Sequence, residues 1–95
     1  MSSDPELTVE RPILVVDDEQ SMREMLAIML DKEGLESRVA TRGEEALEML
    51  EEGERFSVVL TDLKMSEVDG LEVLERVKDV DPACQVVVMT AYATP

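Results

Sequence analysis

The sequence predicts an α/β fold, a doubly wound parallel sheet with helices on both faces, and three features of its 95 residues predict it. Short, valine-rich apolar runs occur at residues 13–16, 58–61 and 86–89; runs so short and so uniformly apolar read as strands buried on both faces. Between them lie segments whose apolar residues recur at helical spacing. The order β-α-β-α-β-α-β then favours right-handed crossovers, which make the strands parallel and put helices on both sides.

Residues 1–11 are polar, include Pro5 and have no clean period, so they read as a flexible lead-in; residues 12–95 form one domain. The first strand follows Pro12 and stops on Asp17 and Asp18. A helix starts near Ser21, where Ser21 and Glu24 stand at capping-box spacing. Met22, Met25, Leu26, Met29 and Leu30 form its apolar face, expected in the core, and Gly34 is its natural stop. Residues 36–41 form a weaker, edge-like strand with only Val39 and Ala40 clearly apolar. Thr41 and Glu44 repeat the capping-box spacing and open a helix through Ala46, Leu47, Met49 and Leu50 that ends at Gly53. The second valine run stops on Asp62. After a loop over residues 64–69, Leu71, Val73, Leu74, Val77 and Val80 mark a third helix, broken before Pro82. The last strand stops on Thr90.

Composition narrows the function. Nine basic residues against 23 acidic ones leave a net charge of −14, which argues against direct contact with a nucleic-acid backbone and suits divalent cations or basic partners. Most of the Glu residues read as solvated helix faces. The single cysteine, Cys84, rules out an internal disulfide, fits a reducing cytosol and reads as a packed thiol. No stretch approaches the ~20 apolar residues of a membrane span, and no signal-peptide pattern opens the sequence. Histidine is absent, so the chemistry must run on carboxylates, hydroxyls and lysines.

Those groups meet at the strand ends. Residues just past parallel strands converge at the carboxyl edge of the sheet, where open α/β sheets bind ligands, and neighbouring strands lie about 4.8 Å apart. Asp17, Asp18 and Asp62 would therefore share one pocket, and acids that close resist ionising together. A hard divalent cation such as Mg²⁺ relieves this, since it binds through one or two carboxylates and completes its shell with water and phosphate. Facing such a cation, a lone carboxylate like Asp62 can attack a phosphoryl group. Capping of a helix by one of the adjacent acids and turn formation by Asp62 are the plainer readings. The Thr90 hydroxyl would donate to a phosphoryl oxygen.

In these residues the chain resembles the receiver domain of two-component response regulators. The segments that carry the resemblance are ILVVDDE at 13–19, VVLTDLKM at 58–65, Asp69-Gly70 and VVVMTAYAT at 86–94, and it spans residues 13–95. It implies a flavodoxin-like sheet, a class that includes known receivers, here with strand order 2-1-3-4. It also implies that Asp62 is the phosphoacceptor, and that Asp17, Asp18, Asp62 and the backbone carbonyl of Lys64 hold Mg²⁺, with Asp18 a direct ligand. Thr90 matches the switch hydroxyl. The implied donor is a phosphohistidine on a sensor histidine kinase, and the implied setting is a cytoplasmic phosphorelay that regulates transcription. The implied activity is that of a phosphoacceptor module, enzymic only in self-phosphorylation from small donors and self-dephosphorylation. The wording DLKM…DGLEVL and MTAYAT is similar to receivers of sigma-54-dependent activators.

Two departures accompany the resemblance. Ser66 stands where the family usually has proline, and the sequence reaches Pro95 before the family's fifth strand and last two helices, with their lysine and coupling aromatic; Lys32, Lys64, Lys78 and Tyr92 do not match those positions. The expectation is an incomplete receiver that self-associates through the open edge at residues 86–89 or the methionine-rich face of the first helix. Two alternatives stay open: a fragment acting only as an assembly module, and a Mg²⁺-dependent phosphatase with an aspartate nucleophile.

Overall fold

The computed structural model describes residues 11–64 and 67–89. Expectations that fall on Met65, Ser66, Thr90 and Tyr92, and on residues 1–10, lie outside them. Seven elements follow in order: β1 (Ile13–Val16), α1 (Gln20–Lys32), β2 (Ser37–Ala40), α2 (Gly43–Glu51), β3 (Val58–Asp62), α3 (Gly70–Val80) and β4 (Gln85–Met89).

All strand pairs are parallel, and the spatial order is β2-β1-β3-β4, the 2-1-3-4 expected from the sequence. The chain steps outward from β1 to β2, then back across β1 to β3. With right-handed crossovers that reversal puts α1 on one face and α2 and α3 on the other. Register places Val15 beside Val39 and Leu60, and Leu60 beside Val87.

The main core lies under α2 and α3. Leu14, Val16 and Val59 from the sheet meet Ala46, Met49 and Leu50 from α2 and Val73 and Val77 from α3, all buried. Phe56, the single phenylalanine, is 2% exposed and fills the base of this layer from the loop before β3. Cys84 is buried here too, and burial pushes its thiol pKa up, as a packed rather than reactive cysteine requires.

Helix termini depart from the sequence reading in detail. Ser21 does not cap α1: Glu19 holds the N-cap position, with no side-chain hydrogen bond, and Ser21 lies inside the helix. α2 begins at Gly43 with Arg42 at its N-cap, so the carboxylate that reaches back is Glu45, not Glu44; its Oε1 accepts from the Thr41 N–H at 2.7 Å and the Thr41 hydroxyl at 2.9 Å. Asp69 caps α3, accepting from the Glu72 N–H at 3.0 Å. Gly34 and Gly53 terminate α1 and α2 with φ of 77° and 99°, a region that favours glycine.

The apolar face expected of α1 is only partly covered. Met22, Leu26 and Leu30 are half-buried against β1 and β2, but Met25 and Met29 are about half exposed, as is Ile28. The apolar arc is wider than the contact, because among the described residues α1 packs against the sheet alone. Leu71 on α3 is likewise 54% exposed rather than core. Arg11, read as the end of a loose lead-in, is tied down: its guanidinium pairs with Asp81 at 2.9 Å, and its carbonyl accepts from the Ser57 hydroxyl.

Candidate functional site

The carboxyl ends of β1 and β3 are adjacent, so their terminal acids meet. Asp17 continues β1 by one residue, its N–H donating to the Ala40 carbonyl of β2 at 3.2 Å. Its side chain is almost fully buried and turns the chain toward α1, Oδ1 accepting from the Glu19 N–H at 2.9 Å. That bond is a local Asx turn and not a helix cap. Asp18 is exposed and Asp62 half-buried at the last position of β3. One carboxylate oxygen from each of the three can be chosen so that all lie within 4.8 Å of one another.

The arrangement is electrostatically unfavourable by itself. Burial, with the neighbouring charges of Asp62 and Asp18 added, raises the Asp17 pKa above the ordinary carboxylate value; the Glu19 N–H opposes this in part. None of the ion pairs formed among the described residues involves these acids. Three hard oxygen donors, one buried, one half-buried and one exposed, fit a divalent cation such as Mg²⁺.

The floor of the site is set by a glycine. Leu63 N–H donates to the Met89 carbonyl at 2.8 Å, and Gly70 N–H donates back to the Leu63 carbonyl at 2.9 Å, folding the loop after β3 beneath Asp62. A Cβ on Gly70 would collide with the Asp62 carbonyl oxygen and stand 2.9 Å from Leu63 Cα, so only glycine permits this approach. The α2 start packs similarly: a Cβ on Gly43 would lie 2.7 Å from Val68 Cγ1.

The structure thus brings together Asp17, Asp18 and Asp62 of the residues expected from sequence. Lys64 follows β3 by two residues with an exposed side chain, on the same loop. Thr90 lies outside the described residues. Sequence reasoning passed over Arg23, whose guanidinium donates to the Asp17 carbonyl at 2.9 Å, and the packing of Gly43. Neither is signalled by spacing, since each meets backbone or a residue remote in the chain.

The family model for the response regulator receiver domain matches residues 13–95, nearly the whole described fold. This chain belongs to the response regulator receiver domain family. Among curated relatives of this receiver domain, Sporulation initiation phosphotransferase F of Bacillus subtilis is 40% identical over 80 residues, 84% of this chain and 64% of that protein. Transcriptional regulatory protein ZraR of Escherichia coli is 40% identical over 82 residues, 86% of this chain but 18% of that protein. The chain therefore spans less than two thirds of the length of either relative. Among solved structures, response regulator protein TrrA of Thermotoga maritima, in complex with Mg²⁺-BeF, superposes with a TM-score of 0.80 at 37% identity, covering 88% of this chain and 72% of that one. A response regulator of Burkholderia pseudomallei with a phosphorylated aspartic acid, calcium ion and citrate gives 0.79 at 30% identity, over 90% and 49% of the two chains. Among the described residues no helix of the receiver domain is long and apolar enough to cross a membrane.

Proposed function

We propose that this receiver domain accepts a phosphoryl group on Asp62 from a phosphohistidine of a sensor histidine kinase, with Mg²⁺ bound by Asp17, Asp18, Asp62 and the Lys64 carbonyl. The observation that carries this is the convergence of three carboxylates within 4.8 Å at the carboxyl edge of the sheet. The phosphorylated aspartate of the Burkholderia relative and the Mg²⁺-BeF complex of the Thermotoga one support the same reading.

The chain's own residues divide the work. A carboxylate oxygen of Asp62 attacks phosphorus, the P–N bond of the donor breaks, and its electron pair leaves on the imidazole nitrogen. Asp17 is fixed by the bond that its Oδ1 accepts from the Glu19 N–H, and exposed Asp18 would be free to ligate the cation directly. Mg²⁺ held by Asp17, Asp18 and Asp62 would supply positive charge that offsets the mutual repulsion of donor and acceptor and stabilises the transferring oxygens. Gly70 keeps the Asp62 peptide seated. The Thr90 hydroxyl serves as the switch, donating to the phosphoryl group.

On this reading the domain is a cytoplasmic signalling module, enzymic only toward its own aspartyl phosphate. It regulates transcription as part of a larger protein of the sigma-54-dependent kind; the ZraR match, confined to a small share of that regulator, supports such an arrangement. Incubation with acetyl phosphate and Mg²⁺ should add one phosphoryl group per chain by intact mass, and Asp62→Asn should remove it. Label persisting in Asp62→Asn, or none on the wild type, would overturn the assignment; multiple turnovers of a generic phosphate ester would favour a phosphatase. A second reading, assembly without phosphorylation, draws on the half-exposed Val87 of β4 and Ile28 and Met29 of α1.

A further inference from the structure

We propose that Arg23 is a positioning residue for the divalent-cation site, bracing the turn that presents Asp17 and Asp18. This rests on the reading that those acids, with Asp62, hold a cation.

Only Asp17, Asp18 and Glu19 separate β1 from α1. A turn this short has few ways to hold its backbone, yet it carries two of the three carboxylates. Arg23 grips it at both ends. Its backbone N–H donates to the Glu19 carbonyl at 3.1 Å, closing the first turn of α1, and its Nη1 reaches back six residues to the Asp17 carbonyl at 2.9 Å. Asp18, the exposed member of the pair, lies between the two fastened carbonyls. The Asp17 carbonyl precedes the helix and has no partner within it, so the guanidinium satisfies an acceptor that the fold otherwise leaves to water.

The choice of acceptor is informative. Arg23 sits on a strongly acidic chain with Glu19, Glu24 and Glu45 at hand, but among the described residues it forms no ion pair. It is half-buried and bonds a neutral backbone oxygen. A group that merely balanced surface charge would not need that geometry. Partners that orient metal ligands without touching the metal commonly matter about 10–100-fold in affinity.

A positioning role and an electrostatic one predict opposite signs. Removing a positive charge near a cation site should tighten cation binding; removing a brace should weaken it. Mn²⁺ binding to the 95-residue chain, followed by the electron paramagnetic resonance of free Mn²⁺, separates them. Arg23→Ala is expected to weaken Mn²⁺ binding about tenfold, and Arg23→Lys, which keeps the charge and one donor direction, by a smaller factor. Far-ultraviolet circular dichroism without metal should match the wild type for both. Should Arg23→Ala fail to fold, weakened binding by folded Arg23→Lys carries the proposal. Unchanged or tighter binding by the folded variants, when Asp18→Asn has lost it, would overturn the brace and leave the cation site standing. A wild type that binds no Mn²⁺ would sink both together.

Discussion

Asp17 is the residue at which the site and the fold oppose each other. A buried carboxylate beside two others gains nothing for stability when ionised, and its raised pKa records this. The native state therefore holds its proton more tightly than the unfolded chain does. Without metal, this group's contribution to stability falls as pH climbs from its ordinary 3.8 through the raised native value. Asp17→Asn keeps an oxygen for the Glu19 N–H and removes the charge. In metal-free buffer at pH 7 it should raise the melting temperature by several degrees, since 1 kcal/mol shifts a domain of this size by about 4–8 °C. The same variant should lose most of the Mg²⁺-dependent rise expected of the wild type. A melt unchanged by the substitution would contradict the repulsion argument. Asp17, Asp18 and Asp62 were legible in sequence because each stands at the end of an apolar run. Arg23 and Gly43 were not, because a donor's backbone partner and a missing Cβ leave no trace in spacing.

At the scale of elements, periodicity located every helix and strand, but the N-caps of α1 and α2 fell two residues and one residue from their expected places. Thr41 was the right residue with the wrong partner: α2 starts at Gly43, so the third helical position, which reaches back, is Glu45. That two-bond fastening holds the Glu45 carboxyl below the usual carboxylate range, mainly through the Thr41 N–H. Asp69 matters more to the site, because it starts α3 immediately before the glycine that seats Asp62. Asp69→Ala should cost about 1 kcal/mol in urea unfolding, the ordinary value of a lost N-cap, without changing the slope of the transition. A neutral result would mean that the Gly70 contacts alone position the helix. The two glycine stops after α1 and α2 were readable beforehand, since few other residues adopt their positive φ.

For the whole molecule, the two faces of the sheet are unequal. Beneath α2 and α3 the central strands are covered, Leu14, Val16 and Val59 being fully buried, although Val86 and Val88 of β4 are only half-buried. On the α1 face, the row Val39–Val15–Leu60–Val87 runs from 42% exposed, through fully buried Val15 and half-buried Leu60, to 48% exposed. Met25, Ile28 and Met29 add an outward apolar stripe on α1. Apolar surface of this kind favours association, and β4 closes the described sheet with one edge unpaired. Sedimentation velocity at rising micromolar concentration should show self-association of the chain. Ile28→Lys with Val87→Lys should return it to monomer with an unchanged circular dichroism spectrum. A monomer at every concentration would discard the assembly reading.

The sequence by itself determined the α/β class, the alternation of elements, the strand-end acids and, through its receiver-like segments, the family. These are carried by local patterns, because strand burial, helix periodicity and a terminal carboxylate are properties of a few consecutive residues. Tertiary structure decided which methionines of α1 stay in solvent, which carboxylate fastens α2, how Gly70 meets the Asp62 peptide, and that Arg23 grips the turn between β1 and α1. Those outcomes depend on helix start points fixed to a single residue and on surfaces brought together from distant parts of the chain, which no local pattern encodes.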